Sequence, residues 1–187
     1  MNKILKKCKS LTAACLLTLG TQMMPLHAHA QAQAQAPTPA PSNPADVIPD
    51  KMPFDLPFGP PIKLEKADQV LSASVSEALK RDWKLICVIS DPYGHMVAMK
   101  RMDNAQIASI DIAVHKARTA AKFRRETKLF ELGIASNPYL GTLDDVIASR
   151  GGIPLVESGK LIGAIGCSGG TGSQDEWVAK TGAALVK

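Results

Sequence analysis

Long apolar runs, aromatic side chains and cysteines are all scarce in this chain, and each scarcity closes off a class of protein. No stretch of about 18 apolar residues occurs, which excludes a multispanning membrane protein. Aromatic residues make up only 4%, yet the total hydrophobic fraction of 45% is too high for a wholly disordered chain. Of the four cysteines, Cys8 and Cys15 lie near the start, leaving Cys87 and Cys167 for the rest. Two distant cysteines and two histidines there, His95 and His115, do not make the clustered ligand set of a structural zinc site. Acidic residues are missing altogether from residues 1–30, where Lys3, Lys6, Lys7 and Lys9 stand alone. Those four account for most of the net charge of +5. Without them, 18 basic residues face 17 acidic ones, and a body of net +1 has no field to steer polyanions. Nucleic acid is not an expected partner.

What is present at the start reads as an address. The lysines precede an apolar run at residues 11–19, and Ala28-His29-Ala30 follows as a small-residue cleavage site. Residues 1–30 are therefore expected to be a secretory signal peptide, cleaved before Gln31, that delivers the protein to the periplasm or the exterior. Lipidation at Cys15 fits less well, because the apolar run continues past it. Residues 31–61 read as a disordered tether rich in Gln, Ala and Pro. Its later part, with Phe54, Leu56 and Phe58, carries apolar side chains able to dock on the domain or on a neighbouring subunit.

The folded domain is expected over 62–187, a length suited to one domain. Apolar spacing predicts a helix at 63–81 and a second at 105–123, whose packing face would be Ile107, Ile110, Val114, Ala117 and Ala121. Strands at 85–90 and 95–100 flank the turn Asp91-Pro92-Tyr93-Gly94. Short helical turns are expected at 127–132 and 143–148, then a second hairpin from 153–157 and 160–167 around Ser158-Gly159. A last helix begins near Ser173, with Ser173 and Glu176 at capping-box spacing. The order α-β-β-α-(short helices)-β-β-α predicts an α+β fold, one mostly antiparallel sheet flanked by helices. Cys87 and Cys167 lie inside apolar strand-like runs and are read as two buried thiols rather than a bridge, although spacing alone does not settle pairing.

Familiar chemistry fails on inspection. Gly166-Cys167-Ser168-Gly169-Gly170 matches the nucleophile-elbow pattern, but that elbow requires a later histidine and the last one is His115. No dinucleotide or phosphate-loop motif occurs. Two features remain. Gly169, Gly170, Thr171 and Gly172 precede the last helix, where backbone N–H groups can hold an anion or serve only a tight connection. On the middle helix Asp111, His115 and Thr119 stand four apart and form a polar border beside the apolar face. That border suits either a pocket wall or a solvated edge.

The residues at 108–113 and 116–121 resemble the central helix of the GlcG/HbpS family of haem-binding-type proteins. The resemblance extends to Gly151-Gly152-Ile153-Pro154, to Gly159-Lys160, to residues 163–172 and to Gln174-Asp175-Glu176. Asp91, Gly94 and Arg101-Met102-Asp103 fit the family's first hairpin. It implies an α/β/α sandwich of the profilin-like or Roadblock-like kind with a five-stranded antiparallel sheet. It also implies homo-oligomers, often octamers, and haem bound at the surface. In the exported haem-binding branch the Thr of a Lys-Ala-x-Thr-Ala motif lies at the iron; here that Thr is Thr119, and Lys116 opens the motif. His115, one turn earlier, is an additional candidate on chemical grounds. The Gly-Gly-Thr-Gly loop looks closer to a branch encoded with glycolate-oxidation genes. The expected function is thus an exported protein that binds haem or a related tetrapyrrole reversibly. Alternatives are an enzyme of haem or small organic acid metabolism, or an accessory module for another exported protein.

Overall fold

The computed structural model describes residues 47–187. The expected signal peptide and the first part of the tether lie outside those residues. Among the described residues no helix is long and apolar enough to cross a membrane.

Among the described residues, four helices and four strands follow in the expected order: α1 (Leu64–Leu79), β1 (Ile86–Ser90), β2 (Met96–Arg101), α2 (Ser109–Phe123), α3 (Lys128–Gly133), β3 (Gly152–Glu157), β4 (Lys160–Ser168) and α4 (Gly172–Ala183). A 3-10 turn at Pro138–Thr142 and irregular backbone replace the helical turn expected at 143–148. The strands form one antiparallel sheet in the order β2-β1-β4-β3. The first hairpin closes as its residues dictate. Asp91 accepts the N–H groups of Tyr93 and His95 at 2.8 and 2.9 Å, and Gly94 adopts a φ of 90°.

Alternation along the strands sorts the core into two layers. Cys87, Ile89, Ile165 and Cys167 join Val70, Leu71, Val178 and Ala179 on the α1–α4 side. Ile86 and Val88 meet Ala113 and Ala117 of α2 on the other. This is the α/β/α sandwich. The sheet has four strands rather than the five that the resemblance implied. β1 stops with Ser90 opposite Ala164, and the start of β4 instead takes a single parallel bridge from Phe58 to Leu161. Three backbone bonds hold that segment: Leu161 N–H to Pro57 O at 2.8 Å, Gly59 N–H to Leu161 O at 2.7 Å, and Ile62 N–H to Ile162 O at 2.8 Å. Pro57, Pro60 and Pro61 lack the donors a longer ladder needs.

Two further corrections follow from tertiary position. Cys87 and Cys167 are directly opposed on β1 and β4 and are joined by a disulfide, not left as two thiols. The packing face of α2 is only partly the expected one: Ala117 and Ala121 are buried as expected, and Ile110 and Val114 pack partly against the core. Ser109, Ala113, Lys116, Ala117 and Ala120 are buried, whereas Ile107 is 76% exposed and Ile110 and Val114 are only partly covered. The helix lies at backbone distance from the sheet. A methyl group on Gly166 would run into Ala113 O and the Ala117 backbone, and one on Gly152 into Lys116 O. Only small residues fit that approach.

Candidate functional site

Asp111, His115 and Thr119 share one edge of α2, and the structure grades them by depth. Asp111 is exposed, His115 is partly covered and Thr119 is fully buried. What covers Thr119 is the segment after the 3-10 turn. Its hydroxyl donates to Asp145 O at 2.6 Å and accepts from Ile147 N–H at 3.1 Å, so a donating and an accepting role are both taken by two residues of one short segment. Asp145 is itself held through its side chain. Lys122 binds one carboxylate oxygen, and Arg118 Nη1 stands 3.8 Å from the other. The Lys122 hydrogen bond, with smaller effects from Lys122, Arg118 and His115 charge, holds the Asp145 carboxyl below its ordinary range. The edge of α2 therefore carries an imidazole, a hydroxyl and two cations within two turns, closed by an acidic loop residue.

Lys116 lies elsewhere, contrary to its expected role beside a cofactor. It is 1% exposed and points under the glycine loop, where its Nζ donates to Asp175 Oδ2 at 2.7 Å and to Cys167 O at 3.2 Å. Burial pushes the Asp175 carboxyl up, against the opposing pull of Lys116 and of the Gly170 and Gly169 amides. Asp175 is what fills the loop. Gly170 N–H donates to its Oδ1 at 3.0 Å, and Thr171 N–H donates to Gln174 Oε1 at 2.8 Å. Neither of these two amides is left for a ligand anion, so at Gly170 and Thr171 the loop of Gly169, Gly170, Thr171 and Gly172 serves as a tight strand-to-helix connection. The capping box also moves: Thr171 is the N-cap and Gln174 its partner, two residues before the pair expected at Ser173 and Glu176.

Beside this pair, Glu131 receives Arg150 from both sides. Arg150 N–H and Nε each donate at 2.7 Å, and Nη2 lies at 2.6 Å. Among the described residues no group of three His, Cys, Asp or Glu side chains converges to hold a bare metal ion. The open grooves lie away from the α2 edge. One of about 530 Å³ runs between Phe54, Leu56, Arg125 and Leu129, and another of about 500 Å³ lies beside Trp177 and Lys180. Neither contains Asp111, His115, Lys116 or Thr119.

Asp145, Arg118 and Lys122 were missed in the sequence. The two cations stand at i and i+4 on the helix that carries His115, and that spacing is the signal that was available. Asp145 has none, being 23 residues from Lys122.

The family model described as "Haem degrading protein HbpS-like" matches residues 62–184. The chain belongs to this family. Protein GlcG of Escherichia coli K12 is 38% identical over 105 residues, which is 56% of this chain and 78% of GlcG. Among solved structures, a double mutant of Streptomyces reticuli HbpS superposes with a TM-score of 0.65 and 28% identity, covering 77% of this chain and 99% of that one. The crystal structure of a PduOC:heme complex gives 0.62 and 26%, covering 68% and 96%. The family, its α/β/α fold and the presence of haem binders within it are thereby established.

Do this chain's residues fit haem? The donor set does. A ferric centre accepts imidazole nitrogen or hydroxyl oxygen, and two cations beside them suit a ligand that also carries carboxylates. Thr119 is available only when residues 145–147 withdraw from it.

Proposed function

We propose that this is an exported protein that binds haem or a related tetrapyrrole reversibly at the outer edge of α2. The observation that carries the reading is the grouping of His115, Thr119, Arg118 and Lys122 along that edge. Haem supplies the redox-active iron; the chain supplies an iron-side donor, a cationic rim and a covering loop. A hydroxyl is a weak donor to iron, which suits reversible holding better than permanent ligation. Family membership and the haem complex of PduOC support the ligand. Export is supported by the signal-like residues 1–30 and by the Cys87–Cys167 disulfide, a bond that persists in oxidising compartments. Homo-oligomeric assembly, as octamers, is part of the same proposal and rests on the family resemblance.

Titration with hemin, followed at the Soret band, tests the reading. Saturation at one hemin per chain is expected, weakened in Thr119→Ala or His115→Ala. Non-saturating absorbance changes that neither substitution alters would indicate adsorption to apolar surface and would remove the proposal.

A further inference from the structure

Asp145 is held by side chains of α2 rather than by its own loop. Two cations of α2 converge on its two carboxylate oxygens, Lys122 on one and Arg118 on the other, which is how a protein recognises a carboxylate from outside. Its backbone is in the left-handed region at φ 63°, a conformation a non-glycine residue adopts at some cost. The contacts that hold it there are the side-chain ion pairs and the Thr119 hydroxyl.

We propose that Arg118 and Lys122 are a carboxylate clamp, filled in this structure by the chain's own Asp145, and that a carboxylate of an incoming tetrapyrrole takes its place. This rests on the haem reading of the same edge and adds to it the rim residues and the device that covers the iron-side donor. Exchange is physically easy. The side chains of Arg118 and Lys122 are each 42% exposed and that of Asp145 is 31% exposed, so water and ligand reach all three and the internal pairs are weak. Exchange also has a consequence. Asp145 O and Ile147 N–H are the two partners of the Thr119 hydroxyl, so displacing Asp145 frees both of its hydrogen-bonding roles together. The far end of the segment stays put, because Arg150 is tied through backbone and guanidinium to Glu131. Ligand recognition at the rim is thus coupled to exposure of the donor beneath.

The test compares wild type with Asp145→Asn, which keeps the shape and the tolerance of positive φ but removes the charge. Amide hydrogen exchange at Ile147, without ligand, is expected to accelerate in the variant; an unchanged rate overturns the latch whatever hemin does. Hemin is expected to bind Asp145→Asn about two- to fivefold more tightly, the worth of a partly exposed ion pair. Hemin dimethyl ester, with no free carboxylate, supplies the control. Wild type should prefer hemin to the ester, and Arg118→Gln/Lys122→Met should lose that preference; a preference that survives overturns the clamp. If no form binds hemin while Ile147 exchange accelerates in Asp145→Asn, the haem reading fails and the latch stands.

Discussion

An ammonium group 1% exposed is tolerable only with a counter-charge and further acceptors, and Lys116 has Asp175 and Cys167 O. Breaking such a pair from one side costs more than replacing both partners. Asp175→Asn should therefore destabilise the protein by about 3–5 kcal/mol in urea unfolding, because the buried ammonium remains. Lys116→Met/Asp175→Leu should recover most of that loss. Lys116→Met alone should show a distinctive pH dependence. Burial already raises the Asp175 pKa, and without Lys116 it rises further. The folded state then binds its proton more tightly than the unfolded chain does. The stability of that variant should be greatest below the ordinary Asp range and fall as pH rises from there to the folded pKa. At this scale the sequence was partly legible. His115 and Thr119 could be placed on one edge from their spacing. Lys116, three residues from Thr119, could not be separated from them, because its partner is 59 residues away and only folding brings it near.

Between elements, the decisive contact is α2 against β4. Helix and strand meet through Ala113, Ala117 and Gly166 with no room for a side chain between them. Gly166→Ala should cost about 1–3 kcal/mol, the usual range for overpacking, seen as a lower urea midpoint with an unchanged slope. A cost near zero would mean that α2 can slide outward. The same contact explains why hydrophobic periodicity located Ala117 and Ala121 but set the centre of the buried face too far toward the larger residues. Ile107, Ile110 and Val114 mark where apolar bulk lies, but a helix seated over glycine must present its smallest residues. Elements with local chemistry were legible almost to the residue. Asp91, Pro92 and Gly94 specify the first turn by themselves, and Ser158-Gly159 does so for the second, both being in the left-handed region. The end of α2 at Arg124, with φ 55°, and the irregular course of 143–149 have no such local signature.

The whole molecule is fastened across its sheet by Cys87–Cys167, which closes a sequence separation of 80 residues. On the chain-entropy account a loop of that size contributes about 4.5 kcal/mol. Reduction with dithiothreitol should lower the unfolding free energy by about that amount, with the reduced protein still folded in the absence of urea because both layers of the core remain. Element order and fold class were readable because each hairpin and helix announces itself locally, whereas the bridge depends on the register of β1 against β4, which no spacing reveals. We propose that the ligand sits on one face of the sandwich, at the outer edge of α2. The most direct measurement is anomalous scattering at the iron edge from crystals of the hemin-loaded protein. An iron peak is expected beside Thr119 or His115, with residues 145–147 withdrawn and Arg118 and Lys122 facing carboxylates. An iron peak in the groove beside Trp177, or no ordered iron on a protein whose 145–147 segment still covers Thr119, would contradict it.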